Sequence, residues 1–177
     1  MGLHKKQTAI MTSCFARYAM NRDEGVCFNF YYPSSMWDHK WRYEADIIRV
    51  DEELHIHEVE VKRTATDFHQ EHCKEAKFEM ILSGEYYVNY FSYLIPIELY
   101  EKLKNKINPL FGIYTINDKM SRITKRRSAT LLKDERCDNF TYVSILRQST
   151  INLWRYYEKS NELQSKNKEF KKTNRKS

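Results

Sequence analysis

Glycine is scarce in this chain. There are four, Gly2, Gly25, Gly84 and Gly112, and the nearest pair is 23 positions apart. That spacing excludes the P-loop and the dinucleotide fingerprint, which crowd several glycines into one short loop. The four cysteines, Cys14, Cys27, Cys73 and Cys137, include no CxxC pair. No apolar run follows Met1 to Lys6, so a cytoplasmic protein with reduced thiols is expected, not a disulfide frame. Long hydrophobic runs are also missing. The longest uncharged stretches, Gly25 to Trp37 and Tyr86 to Ile97, have 13 and 12 residues, whereas a membrane-spanning helix needs about 20. Ser34 and Ser35 have no histidine and acid patterned with them, which removes a serine nucleophile.

What is present is an apolar fraction of 41% and an aromatic fraction of 14% over 177 residues, enough for one domain with its own core. The net charge of +6 is unevenly placed. Residues 159–177 carry seven basic side chains against two acids, leaving residues 1–158 nearly neutral. The division expected is an α/β domain over 1–158 and a basic, disordered tail over 159–177, either an arm for a polyanion or a solvated end.

Periodicity predicts a helix over Lys6 to Arg22 and an extended segment over Val26 to Tyr32. A hairpin follows, with strands Tyr43 to Val50 and Leu54 to Lys62 around Asp51-Glu52-Glu53. Thr66 to Ser83 reads as one helix capped by Thr66 or Asp67. Tyr86 to Ile95 reads as a buried strand, and Pro96 as the first residue of a helix through Ile107. Strands are expected at Phe111 to Ile116 and Arg122 to Arg126. A last helix, Tyr142 to Tyr157, should turn Val143, Leu146, Leu153 and Tyr157 inward. The order is that of an α/β domain with a mixed sheet.

One segment carries chemistry: Glu44-Ala45-Asp46, then Glu58-Val59-Glu60-Val61-Lys62. Strand side chains alternate, so Val59 and Val61 face one way and Glu58, Glu60 and Lys62 the other. The hairpin brings Asp46 beside Glu60. Two acids and a lysine then meet, which suits phosphodiester hydrolysis. Mg²⁺ or Mn²⁺ takes oxygen ligands, here Asp46, Glu60 and the main-chain carbonyl of Val61. Lys62 would orient or deprotonate the attacking water. The same alternation also suits a half-exposed strand with a solvated charged face. The spacing alone does not choose between them.

Asp46 followed across a hairpin by Glu60-Val61-Lys62 resembles the PD-(D/E)XK, restriction-endonuclease-like nucleases. The succession Ala45-Asp46, Glu60-Val61-Lys62, Asp67-Phe68, Tyr86 to Pro96 and Phe111-Gly112-Ile113-Tyr114 is similar to that of the MmcB-like DNA-repair family. The resemblance covers about residues 6 to 157. It implies a restriction-endonuclease-like mixed central sheet flanked by helices. It also implies a Mg²⁺- or Mn²⁺-dependent deoxyribonuclease of repair, recombination or phage-type processing, with Asp46, Glu60 and Lys62 catalytic. Many members carry arginine two positions before the aspartate. Glu44 stands there in this chain and offers a further carboxylate to the metal. Members also often carry an acid on the first helix, and Lys6 to Arg22 has none. The alternative reading keeps the fold without cleavage, as a nucleic-acid-binding or protein-interaction module. An RNA nuclease is a third.

Lys125, Arg126 and Arg127 are expected to meet DNA phosphates, or to guard an edge strand with charge. Trp41 and Arg42, in the segment Trp37 to Arg42, are expected to stack on or contact nucleic acid, against the commoner use of such tryptophans as packing residues. His69 and His72, even with His55 and His57, are too loosely spaced for structural zinc and read as polar surface, or, being close in sequence to the site, as phosphate contacts.

Overall fold

The computed structural model describes residues 3–22, 24–31, 44–72, 75–152 and 154–155. Six strands form one sheet in sequence order: β1 (Gly25–Tyr31), β2 (Glu44–Val50), β3 (Ile56–Val61), β4 (Tyr90–Pro96), β5 (Gly112–Ile116) and β6 (Ile123–Arg127). β1, β2 and β3 run antiparallel as a meander. β3, β4 and β5 are parallel, and β6 returns antiparallel on β5. Parallel neighbours need crossovers. These are supplied by α2 (Ala65–His72) with α3 (Glu75–Ser83), and by α4 (Ile97–Leu103). The expected α/β class, with a mixed sheet flanked by helices, is therefore what is found. No helix among the described residues is long and apolar enough to cross a membrane.

Each face of the sheet has its own core. α1 (Leu3–Met20) lays Met11, Phe15 and Ala19 on Ile47, Val59, Leu94 and Tyr114. On the opposite face Phe68, Ile81, Leu103 and Ile145 pack with Ile48, Ile56 and Phe91. Each such fully buried side chain contributes about 1.5–3 kcal/mol. Cys14, Cys27 and Cys137 are buried free thiols.

Several boundaries differ from expectation for local reasons. The helix after Lys62 starts at Ala65 because Thr64 caps it, its Oγ1 accepting the Asp67 N–H at 3.0 Å. The stretch expected as one helix comprises α2 and α3. β4 begins at Tyr90, and Asn89 just before it already bonds β3, its N–H donating to the Ile56 carbonyl at 2.9 Å. Its side chain accepts the Ile56 N–H at 2.7 Å and donates to the carbonyls of Lys133 and Glu135, each at 2.7 Å. Pro96 ends β4 and precedes α4 as its cap. It has no N–H with which to extend the ladder.

The last helix, α5, spans 139–152, with Asp138 accepting the Thr141 N–H at 2.7 Å. Its inward residues are Thr141 and Ile145, whereas Val143 and Leu146 are exposed. The expected inward stripe is thus corrected. The helix lies along β1, where Ser149 donates to the Val26 carbonyl at 3.0 Å and Asn152 to that of Phe28 at 2.6 Å. Polar donors therefore turn inward at this end. Leu153, Tyr157 and the tail 159–177 lie outside the described residues.

Candidate active site

The hairpin and the first crossover build the site together. β2 pairs with β3 from Val50↔Ile56 to Ile47↔Val59. Beyond that point the Asp46 carboxylate, through Oδ2, accepts the Val61 N–H at 2.8 Å. On the other side of β3, the Lys62 N–H still reaches the Leu94 carbonyl at 3.0 Å, which fixes the backbone just past the strand. Asp46, Glu60, Val61 and Lys62 line a cleft of about 350 Å³, closed by Thr8 of α1 and by Asp67 and Gln70 of α2. The expected triad is thus brought to one place.

The charged face of β3 is not solvated. Glu58, Glu60 and Lys62 are 0%, 6% and 8% exposed, because α2 and α3 cover a strand central in the sheet. Lys62 Nζ is 3.0 Å from Glu60 Oε1. Lys77 of α3, also buried, lies 2.7 Å from Glu58 Oε1 and 3.3 Å from Glu60 Oε2. Burial pushes the Asp46 carboxyl up to about 7, and the Glu60 charge adds to this. The Val61 N–H, Lys62 and Lys77 oppose the shift without cancelling it. Counted formally, the three carboxylates Asp46, Glu58 and Glu60 exceed the two lysines by one charge.

Glu44 stands exposed at the start of β2 and does not line the cleft. The basic trio divides. Lys125 and Arg126 are exposed on β6, and Arg126 Nε donates to Thr115 Oγ1 at 3.1 Å. Arg127 turns inward and donates to the carbonyls of Phe111 at 2.8 Å, Asn108 at 2.8 Å and Ile107 at 3.3 Å. Its guanidinium is spent on the chain that leads into β5. It is therefore a structural clamp rather than a surface phosphate contact. Trp41 and Arg42 lie outside the described residues.

The histidines serve other ends. His69 is exposed. His57 stacks on Tyr90 with centroids 4.2 Å apart. Its Nδ1 accepts from Arg49 at 2.6 Å, and its Nε2 donates to Asp51 Oδ2 at 2.7 Å. Arg49 in turn pairs with Glu24. Both ring nitrogens are engaged, so His57 has no lone pair to offer zinc. Asp51, Glu53 and His55 gather their ligand atoms within 4.8 Å at the hairpin turn. The Asp51 carboxylate is already occupied there, by the His55 N–H at 2.9 Å and by His57.

Sequence reasoning did not find Lys77. One signal was available: it lies four positions before Ile81, on the buried face of α3.

No family model matches the sequence, and no curated protein matches it. Among solved structures, the chain is similar to SPO1766, a protein of unknown function from Silicibacter pomeroyi. The TM-score is 0.58 at 12% identity, over 87% of this chain and 90% of that one. At that identity the likeness is one of fold: the two chains share a mixed α/β architecture over most of their lengths.

Proposed function

We propose that the protein is a metal-dependent nuclease of the restriction-endonuclease-like kind that hydrolyses DNA phosphodiester bonds, in repair, recombination or phage-type processing. The observation that carries this reading is the meeting of Asp46, Glu60 and Lys62 in one cleft at the end of β3. The donor set fits Mg²⁺ or Mn²⁺. Two carboxylates and the Val61 carbonyl are hard oxygen ligands, and they line one cleft. Bound there, the cation would polarise the phosphate and acidify a water. Asp46, tethered to the Val61 amide, holds its ligand oxygen still. Lys62 offers an ammonium to the attacking water or to the charge developing on phosphorus.

One observation favours the non-cutting alternative, a nucleic-acid-binding or protein-interaction module. Both Glu60 oxygens are already in contact with lysines. A single experiment separates the two readings. Purified wild type, Asp46→Ala and Lys62→Ala are incubated with duplex DNA, single-stranded DNA and RNA in Mg²⁺ or Mn²⁺. Cleavage that falls about 10²–10⁴-fold in each variant, with DNA affinity kept, supports the nuclease. DNA binding without cleavage by the wild type supports the binding module. Cleavage at the wild-type rate by both variants overturns the assignment.

A further inference from the structure

Lys77 has no part in the chemistry just described, yet it is among the most buried side chains of the protein, 1% exposed. An ammonium so far from water is costly unless its partners are close and oppositely charged. Lys77 has two of them, Glu58 Oε1 at 2.7 Å and Glu60 Oε2 at 3.3 Å. The rings of Tyr86 and Phe91, 5.7 and 5.6 Å from its Nζ, complete the pocket. Glu58 is itself 0% exposed and lies two residues before Glu60, on the same face of β3. A Glu58–Lys77 pair would already be neutral. The contact with Glu60 is additional, and it connects the pair to the cleft.

The two lysines on Glu60 differ in access. Lys62, on Oε1, lines the cleft, whereas Lys77, on Oε2, is enclosed behind it. A cation arriving through the cleft meets the Lys62 side first. We infer that Lys77 is a positioning residue for Glu60: anchored by Glu58, it fixes Oε2, so that Oε1 is the oxygen a divalent cation takes as Lys62 moves off it. This rests on the nuclease reading of the same cleft. It adds to that reading a buried ion pair that holds the ligand without touching metal or substrate. Lys62 is then a placeholder for the cation until the cation arrives.

The test compares wild type with Glu58→Leu/Lys77→Met, which removes the pair while keeping the charge balance and an apolar filling. The readouts are melting, Mn²⁺ affinity from the spin-resonance signal of free Mn²⁺, and cleavage split into KM and kcat. The double variant should fold, keep its KM for DNA, and bind Mn²⁺ about 10–100-fold more weakly. A folded double variant with wild-type Mn²⁺ affinity overturns the positioning role and leaves the nuclease reading standing. A wild type that binds no Mn²⁺ overturns both. If the double variant does not fold, wild-type crystals soaked in Mn²⁺ decide. Metal on the Glu60 oxygen that faced Lys62, with Lys77 still on the other, supports the inference. Metal on the Lys77 side overturns it.

Discussion

Asp46 and Val61, fifteen residues apart, are joined by a carboxylate that stands where a strand carbonyl would otherwise accept the amide, at 2.8 Å. The bond does two things. It satisfies a main-chain donor at the point where β2 and β3 cease to pair, which would be costly to leave open. It also prevents the carboxylate from swinging away from Glu60, whose charge it would otherwise avoid. Burial first, and then the Glu60 charge, thereby strain the Asp46 carboxylate at the end of the hairpin.

That strain has a pH signature. With its pKa raised from 3.8 to about 7, Asp46 keeps in the folded state a proton that the unfolded chain has already lost. Its contribution to stability therefore falls as pH rises from about 4 to about 7 and stays low above that. Asp46→Asn keeps an oxygen for the Val61 amide and removes the charge. In metal chelator the variant should match wild type near pH 4 and exceed it at pH 8 by about 2–4 kcal/mol in urea unfolding. A variant less stable than wild type at pH 8 would contradict the strain.

His57 acts in the opposite sense. Burial, then the neighbouring Arg49, lower its pKa from 6.5 to about 4. The unfolded chain takes up a proton between those values and the folded chain does not. Stability from this group is thus lost as pH falls from 6.5 towards 4, by up to about 3 kcal/mol. Asp51, held below its usual range, loses its contribution only below 3.8, outside this window. Measured against wild type, His57→Gln should gain about 2–3 kcal/mol in relative stability as pH falls from 7.5 to 4.5, read by urea unfolding at each pH.

The two ends of the basic run should separate in experiment. Arg127→Ala takes the side-chain donor from three carbonyls, of which that of Asn108 keeps the Phe111 N–H, and should lower stability by about 2–3 kcal/mol, read by melting or urea. Lys125→Ala, on an exposed site, should leave melting unchanged and only reduce the salt dependence of DNA binding, by about 0.9 in the log–log slope if it meets one phosphate. The reverse pattern would reassign both residues.

Gly112 opens β5 against β4. A Cβ there would collide with Ser92 Oγ and would lie 3.0 Å from the Ala129 nitrogen. The serine can rotate but the backbone of Ala129 cannot. Gly112→Ala should cost about 1–3 kcal/mol, and adding Ser92→Ala should recover only part of it. Full recovery would show that the Ser92 hydroxyl was the whole obstacle.

The site was legible because it is local: alternation along Glu58 to Lys62 and one hairpin bring its triad together. What escaped depends on distant partners. A lone lysine in a helix is normally solvated, and nothing near Lys77 in sequence announces Glu58, nineteen positions earlier. Arg127 reads as one more cation in Lys125-Arg126-Arg127 until the turn at 107–111 presents its carbonyls. Val143 and Leu146 read as core by hydropathy, but α5 lies against a strand edge whose carbonyls need donors, so Ser149 and Asn152 turn in instead. The helix start at Thr64 was missed in favour of Thr66 or Asp67, both of which lie inside the first turn that Thr64 caps.

Those two contacts of α5 also bear on how copies of this chain meet in solution. An outer strand with bare carbonyls is a template on which another chain can crystallise a cross-β seed. On β1, the carbonyls of Val26 and Phe28 are already occupied by side chains from 123 and 124 residues away. A second strand docking there must first peel back the helix. The opposite border, β6, presents exposed Lys125 and Arg126, which repel a like-charged copy. Loss of α5 should therefore show first as self-association through β1, with the cleft of Asp46, Glu60 and Lys62 at the far end of β3 still assembled.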